Sequence, residues 1–220
     1  GVYGGVELKL TLKAYIQMFK PEYGLILLRT LKITVISTLI TILIALPCAY
    51  AMARSKHQTL FLFLIIIPFW TNSLIRIFAW MSILNNDGML NQILLKLGII
   101  KEYLPFLYNT KAVILVSVYM YIPYAILPIF TAVDRFDFSL LEAARDLTAT
   151  KMQAITKVLL PGIRSGIVSA LIFTFIPIFG NYTVPNMVGG KDSYMLGNII
   201  VDQVQKVRNW PLASAFSMVL

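Results

Sequence analysis

Long apolar runs separated by polar connections are the feature that most constrains the fold of this chain. A helix that crosses a bilayer needs about 20 mostly apolar residues. The sequence predicts four such spans, at about residues 33–53, 60–84, 112–133 and 163–185, and a fifth, 211–220, that is cut short. The fold class expected is an all-α, polytopic transmembrane helical bundle, here a fragment with four full spans and part of a fifth.

Composition favours a membrane protein and argues against other classes. Of the 220 residues, 58% are hydrophobic and 13% are charged, which is too apolar for an ordinary soluble domain. The net charge of +9 lies in the connections between apolar runs, where basic residues meet lipid headgroups. No nucleic-acid-binding motif accompanies these basic residues. We therefore expect contact with membrane lipid and none with nucleic acid.

Few residues in the chain could carry out chemistry. Cys48 lies inside an apolar run and His57 lies in a short polar connection, and each is the single residue of its type. A disulfide framework and a cysteine-rich metal site are therefore excluded. The sequence has no glycine-rich phosphate-binding loop, no paired catalytic carboxylates and no nucleophile motif. We expect a transport component and not an enzyme, with no metal site and no cofactor in this chain.

Basic residues in the connections set the expected orientation. Residues 54–59 and 134–164 together carry seven Lys and Arg, and the connections on the other side carry eleven over more than twice the length. Because cytoplasmic connections are enriched in basic residues, residues 54–59 and 134–164 are predicted to be cytoplasmic. This orientation puts Gly1 outside, so we expect an earlier span that this sequence lacks.

The longest cytoplasmic connection, about residues 134–162, is predicted to contain a short helix. Its centre is alanine-rich with spaced charges, a composition that favours helix. Ser139 is expected to be the N-cap, with Glu142 completing a capping box. Ala143 and Ala144 leave a face without long side chains, which suits close docking into a groove on a partner. An ordinary linker helix is the alternative.

The same connection resembles the cytoplasmic signature of ABC importer permeases. The resemblance rests on Glu142-Ala143-Ala144, three residues, Thr148, nine residues, Val158, one residue and Leu160-Pro161. The family has glycine where Thr148 stands and isoleucine where Val158 stands. That glycine lets the chain turn sharply between two short helices, often at backbone angles that a β-branched residue disfavours. We expect either a different turn here or a strained one.

Further segments resemble, more narrowly, the permease subunits of spermidine/putrescine-type importers. They are residues 68–76, 141–147, 188–190 and 209–211. The resemblance implies a single transmembrane permease domain over residues 1–220 with the type I ABC importer permease fold. That fold has six spans with both termini in the cytoplasm, so the chain would hold the second to fifth spans and the start of the sixth.

The resemblance also implies a bacterial inner-membrane location and several partners. These partners are ABC ATPase subunits, which would bind ATP and Mg, a second homologous permease subunit, and an extracytoplasmic substrate-binding protein. The residues implied in coupling to the ATPase subunit are Glu142, Ala143, Ala144, Arg145, Asp146, Thr148, Leu160 and Pro161. ATP-driven movement of the ATPases would move this coupling helix, and rigid spans would pass the motion to a central path.

Breaks in the second and fourth predicted spans supply candidates for the substrate path. Broken membrane helices often line a cavity, although a simple packing kink is an alternative. The candidates are Trp70, Asn72, Arg76, Asn181 and Tyr182. Ordinary helix packing is the alternative for these residues, and snorkelling or a structural pair is the alternative for Arg76. Several relatives have an acidic residue about where Asn181 stands, so this sequence departs from their pattern.

The function expected is that of a permease subunit of an ABC importer for polyamines. An ATP-independent channel or secondary transporter is one alternative, motivated by Arg76 and the broken fourth span. An ABC importer for another small solute, such as an opine or an amino acid, is the other. Aromatic or acidic groups would be expected to meet a polyamine cation, and this chain has few acids in its apolar runs.

Overall fold

The computed structural model describes residues 13–219, and every regular element within that range is helical. The α-helices are α1 Lys13–Met18, α2 Pro21–Ala53, α3 Gln58–Ile66, α4 Ser73–Leu84, α5 Met89–Lys96, α6 Thr110–Asp134, α7 Ser139–Asp146, α8 Lys151–Ala154, α9 Leu160–Gly162, α10 Arg164–Phe179, α11 Thr183–Val188, α12 Leu196–Gln205 and α13 Trp210–Val219. Short 3₁₀ turns occupy Ile67–Trp70 and Lys191–Ser193, and a π-helical turn occupies Ile155–Leu159. Gly1 and Leu220, on which two of the expectations fall, lie outside the described residues.

Helices α2 and α6 are each long and apolar enough to cross a membrane. Two further helix pairs reach that length only together, since Gln58–Trp70 and Ser73–Lys96 meet at 91° and Lys151–Gly162 and Arg164–Phe179 meet at 70°. The described part of the chain therefore contains two membrane-crossing helices, or up to four if each bent pair is one span.

The helix bounds differ from the predicted spans in two ways. Helix α2 begins at Pro21, twelve residues before the predicted start, because a helix can continue through Arg29 and Lys32 where these face a membrane surface. The predicted spans 60–84 and 163–185 are not single straight helices. Thr71 and Asn72 separate α3 with its 3₁₀ turn from α4, and residues 180–182 separate α10 from α11.

Helices α2, α6 and α10 pack together into the centre of the structure. Small buried residues line their contacts: Ala45 and Ala49 on α2, Ala125 on α6, and Gly166 and Ala170 on α10. Apolar helices gain little from burial against each other within lipid, so close backbone approach at small residues is a main source of their attraction. A Cβ at Gly166 would lie 2.4 Å from the Ala132 Cβ and 2.8 Å from the Pro128 carbonyl oxygen.

Buried hydroxyl groups follow one side of α2. They belong to Thr30, Thr34, Ser37, Thr38 and Thr41. Thr41 donates a hydrogen bond to the Ser37 carbonyl at 2.7 Å, the usual way in which a hydroxyl is satisfied within an apolar helix. Thr30 donates to the Ile26 carbonyl and accepts a bond of 3.0 Å from the Leu196 N–H. This last bond fixes the start of α12 to α2.

The end of the bundle that holds the N-termini of α2 and α6 is closed by loops and short helices. Thr110, the first residue of α6, donates from its hydroxyl to Asp192 Oδ2 at 2.6 Å. This hydrogen bond is the largest cause of the lowered pKa of Asp192. The Asn91 amide on α5 donates to the Leu104 carbonyl at 2.9 Å and accepts from the Leu104 N–H at 3.0 Å. The Asp192 bond attaches the connection after α11 to α6, and the Asn91 bonds fix the loop before α6 to α5.

We expect Gly166→Ala to destabilise the protein, because its Cβ would displace the backbone of α6. Overpacking of this kind costs about 1–3 kcal/mol, which would appear as a lower midpoint of thermal unfolding in detergent. Gly24→Ala is the matched control, since nothing lies within 4 Å of a Cβ at Gly24 in α2 and helix propensity favours alanine by about 1 kcal/mol. Equal effects at both positions would contradict the packing argument.

Candidate functional site

The predicted coupling segment lies at the end of the bundle where α2 and α6 finish. The Arg54 guanidinium carbon lies 4.9 Å from the centre of the Phe138 ring, and the Tyr50 ring meets the same ring edge-on at 6.2 Å. Gln58 donates from Nε2 to Asp134 Oδ1 at 3.1 Å. The two Phe138 contacts hold the start of α7 against the end of α2, and the Gln58 bond joins the start of α3 to the end of α6.

The prediction of a capping box at Ser139 and Glu142 is wrong. Ser139 is the first residue of α7. Its N-cap is Phe138, whose side chain makes no capping hydrogen bond. Instead, Asp137 Oδ1 accepts a hydrogen bond of 3.0 Å from the Ser139 N–H. The Ser139 hydroxyl and N–H hold the pKa of the Asp137 carboxyl below its usual range. An ionised carboxylate is a stronger acceptor than a hydroxyl, and Asp137 takes the role expected of Ser139.

Most of the predicted coupling residues face outward. Glu142, Ala143, Arg145, Asp146 and Thr148 are exposed and Ala144 is half-buried. Further along the segment, Leu160 is half-buried and Pro161 is exposed. The structure therefore presents one exposed helix with a small-residue face at this end of the bundle.

Two apolar side chains at this end were missed by the sequence analysis. Leu147 is 81% exposed and Met152 is 68% exposed, on either side of the turn that follows α7. Large apolar side chains that are highly exposed at one end of a bundle are candidates for a contact surface. The sequence signal for each of these residues was a single large apolar side chain next to charged residues within a polar connection.

The turn after α7 is sharp, and Thr148 adopts the left-handed conformation with φ of 67°. The Ala149 N–H donates to the Ala144 carbonyl at 3.1 Å and the Thr148 N–H donates to the Arg145 carbonyl at 3.0 Å. This pair of bonds is the Schellman motif, which favours glycine at the left-handed position. Gly98, with φ of 68°, forms the same pair of bonds after α5. Of the two expectations for Thr148, the structure agrees with the strained turn.

A continuous helical path leads from this turn into the bundle. Thr150 caps α8 and exchanges hydrogen bonds with Gln153 in a capping box. The helical chain then continues through the π turn and α9 before bending by 70° into α10. Leu159 and Ile163 on either side of α9 are buried in the central core. The segment is thus packed at its end against the helices that it would move.

The candidates for the substrate path fall into two groups. Asn181 and Tyr182 line one cavity together with Ser73 and Tyr121. Trp70, which is 86% exposed, lines a second cavity with Phe69 and Tyr124. Asn72 lines neither of these two cavities, because its side chain caps α4 by accepting a hydrogen bond of 2.8 Å from the Leu74 N–H.

The nitrogen and the oxygen of the Asn181 side-chain amide both form hydrogen bonds within the chain. Its Nδ2 donates to the Tyr121 hydroxyl at 3.0 Å, and its Oδ1 accepts from the Val184 N–H at 3.1 Å. The second bond satisfies a free N–H in the first turn of α11, so that Asn181 stabilises the break between α10 and α11. Tyr182 is partly exposed and lies beside it.

Arg76 stacks on an aromatic ring that the sequence analysis did not single out. Its guanidinium carbon lies 4.4 Å from the centre of the Phe69 ring. The Tyr124 ring meets the Phe69 ring edge-on at 5.7 Å, and Tyr121 lies 5.7 Å from Tyr124. The signal for the two tyrosines was their spacing of three residues within an apolar run.

Among the described residues, no group of three or more His, Cys, Asp or Glu could hold a metal ion.

Comparison with protein families decides the class of the protein. Residues 26–220 match the family described as "Binding-protein-dependent transport system inner membrane component". The chain belongs to this family. It is a multi-pass inner-membrane permease component of an ABC importer, which confirms the predicted location and the family resemblance.

Several curated proteins are similar to this permease over nearly its whole length. It is 36% identical over 98% of its chain to the spermidine/putrescine transport system permease protein PotB of Escherichia coli K12, of which it covers 79%. It is 37% identical over 95% of its chain to the protein of the same name from Haemophilus influenzae, of which it covers 74%. It is also 33% identical over 96% of its chain to the inner membrane ABC transporter permease protein YdcU of E. coli K12, covering 72%.

Two solved structures confirm the fold. One is a crystal structure of a bacterial ABC transporter involved in the import of the acidic polysaccharide alginate, and it matches with a TM-score of 0.75 over 97% of this chain and 79% of that chain. The other is the bacterial alginate transporter in complex with an alginate pentasaccharide-bound periplasmic protein, with a TM-score of 0.77 over 96% and 77%. Both are 16% identical to this permease, so the likeness concerns the fold alone.

We expect Thr148→Gly to strengthen the turn after α7, because a left-handed β-branched residue is disfavoured by roughly 1–2 kcal/mol. Amide hydrogen exchange at residues 148 and 149 should slow by about fivefold if about 1 kcal/mol of strain is removed. Gly98→Thr is the reverse control in the same motif, and exchange at residues 98 and 99 should accelerate. Unchanged exchange in both variants would contradict the strain at Thr148.

Proposed function

We propose that this permease forms half of the translocation path of an ABC importer for polyamines and couples to the ATPase subunit through residues 142–161. The observation that carries the coupling role is the exposed helix α7 at the end of the bundle. Its exposed Glu142 and Ala143 lie at the positions of the family signature. Its base is held by Phe138 against Arg54 and Tyr50.

The connection from α7 to the bundle supports a mechanical role for this helix. A force on α7 would pass by two routes. One runs through Phe138 to the end of α2, and the other runs through α8, the π turn and α9 to the buried Ile163 at the start of α10. Since α2 and α10 both pack on α6, a push at α7 would tilt helices rather than bend one loop. ATP and Mg would be bound by the partner subunit.

The arrangement also suits a second permease subunit. A groove of about 610 Å³ runs between α6 and α10. It is lined by Thr131, Arg135, Asp137, Ser165 and Ser169 and by Phe173, which is 56% exposed. Hydroxyl groups and an arginine along an otherwise apolar face are expected where a membrane helix meets protein or water rather than lipid. We propose that a homologous permease, identical or different, closes this face. An extracytoplasmic binding protein would dock at the opposite end, beside α5 and α12.

A polyamine substrate is supported by the relatives and by the aromatic cavity. Two of the relatives above are named for spermidine and putrescine transport. The rings of Phe69, Trp70 and Tyr124 line one cavity at the break of the second span, and aromatic faces attract ammonium groups. This cavity offers ring faces to a cation although no carboxylate lines it.

An ABC importer for another small solute is the second candidate, and Asn181 favours it. The amide of Asn181 is neutral and lines the neighbouring cavity, at a position where the family resemblance implied an acidic residue. A neutral or zwitterionic solute, such as an opine or an amino acid, would not need that acid. Competition of uptake by polyamines, opines and amino acids in cells that express the complete transporter separates the two candidates.

We expect Glu142→Lys to abolish the coupling of ATP hydrolysis to uptake, because it reverses a charge on the face proposed to dock. Like-charge contact at an interface costs several kcal/mol, so polyamine uptake by the reconstituted complex should fall at least about tenfold. Lys56→Glu is the control charge reversal, since Lys56 is exposed in the connection between α2 and α3 and lies outside both the proposed docking segment and the surface beside α5 and α12.

Substrate capture by the binding protein should remain normal in both variants. Normal uptake and normal ATPase stimulation in Glu142→Lys would refute the docking role. A failure of polyamines to compete for uptake in the unchanged protein would refute the substrate and leave the docking role standing.

A further inference from the structure

Arg76 occupies the face of an aromatic ring at the break of the second span. Its guanidinium lies over Phe69 at 4.4 Å from the ring centre. The two residues stand on opposite sides of the bend of 91°, since Phe69 belongs to the 3₁₀ turn that ends at Trp70 and Arg76 belongs to α4. The Arg76 side chain therefore bridges the break, with its guanidinium on the Phe69 ring.

The hydrogen bonds of Arg76 are incomplete. Its Nε and Nη1 are buried, and neither has a hydrogen-bond partner among the residues that the structure describes. No acidic side chain pairs with it either, since the ion pair found in the described part of the chain joins Lys206 and Asp202. A buried donor without a partner raises the free energy of the state that contains it. The ring of Phe69 is thus the main contact of the charge, and Arg76 is held there weakly.

The ring under Arg76 also belongs to a cavity. Phe69, Trp70 and Tyr124 line a space of about 270 Å³ together with Ile66, Pro123 and Leu127. The Tyr124 ring packs edge-on against Phe69, and Tyr121 connects this pair to Asn181 at the second break. A cation that entered this cavity would meet the Phe69 ring on which the Arg76 guanidinium lies, although Arg76 is not itself among the residues that line the cavity.

Two cations cannot share this position. The attraction of an ammonium group to an aromatic face is of the same kind as that of a guanidinium. Two positive charges a few ångströms apart in an apolar environment repel each other strongly. Occupation of the Phe69 face by Arg76 and occupation by an arriving ammonium group are therefore mutually exclusive.

We infer that Arg76 is a resident competitor for the transported cation: it covers the Phe69–Tyr124 face when the path is empty, and a primary ammonium group of the substrate displaces it. This inference rests on the proposed polyamine function. Arg76 is then a specificity-determining residue, because a solute without a positive charge gains nothing at the ring that could offset the loss of the Arg76 contact. Displacement of Arg76 also releases the contact that spans the bend.

The test is a double-mutant cycle on the complete transporter in lipid nanodiscs without its binding protein, with radiolabelled spermidine as the probe. Arg76→Gln removes the competing charge, and we expect the dissociation constant for spermidine to fall by about three- to tenfold. Phe69→Leu removes the ring face, and we expect the dissociation constant to rise by a similar factor. In the double variant, Arg76→Gln should have no further effect, since the face for which both cations compete is gone.

Three further variants are controls for the charge at position 76 and for the loss of a charge or a ring elsewhere. Arg76→Lys retains the charge but loses the planar stack, so its dissociation constant for spermidine should lie between those of the unchanged protein and Arg76→Gln. Lys101→Gln removes an exposed charge from the loop after α5, and Phe63→Leu removes an exposed ring from α3; neither should alter binding. Recovery of all subunits in the purified complex shows whether each variant assembles.

The inference is overturned if Arg76→Gln tightens binding equally with and without Phe69, because the charge would then act at long range. It is also overturned if Arg76→Gln weakens binding or leaves it unchanged in an assembled complex, or if spermidine binding is undetectable while uptake with the binding protein is normal. Should Arg76→Gln fail to assemble, weaker binding in Arg76→Ala or unaltered binding in Phe69→Leu overturns it. Absence of polyamine uptake by the unchanged transporter refutes the proposed function itself.

Discussion

The close packing of α2, α6 and α10 is the contact on which the other elements depend. Burial of apolar surface does little to hold helices together in a bilayer, so the backbones approach through small residues such as Ala45, Ala125 and Gly166. The functional segments are attached to the ends of this unit. Helix α7 is held at one end through Phe138, and α12 is held at the other through Thr30. A rigid centre with attachments at both ends can transmit movement across the membrane.

The two breaks in the bent spans show how polar residues are used in an apolar environment. A broken helix frees backbone N–H groups, and each free group inside a membrane is costly. Asn72 accepts from the Leu74 N–H at the first break, and Asn181 accepts from the Val184 N–H at the second. These asparagines therefore stabilise the breaks, and the aromatic rings beside them are the groups left for a solute.

The sequence predicted the features that depend on local pattern. The bounds of α6 lie within two residues of the predicted span, because Asn109 caps its start and Arg135 follows its end. The turn at Thr148 was recognised from motif spacing. The start of α2 was placed too late, since Arg29 remains in the helix and donates to the Lys191 carbonyl, a contact 162 residues away. The stack of Arg76 on Phe69 and the contact of Phe69 with Tyr124 depend on packing that no local pattern contains.

The two departures from the family pattern have different physical consequences. Thr148 adopts the left-handed conformation that glycine favours, so this departure costs free energy of folding. Asn181 caps the first turn of α11, because its amide oxygen accepts the Val184 N–H, a bond that a neutral side chain and a carboxylate can both accept. Among the described residues, no charged side chain lines either of the two cavities, and the Arg76 guanidinium lies on Phe69, which lines one of them. On the inference above, a cation that takes the Phe69 ring displaces Arg76 from it.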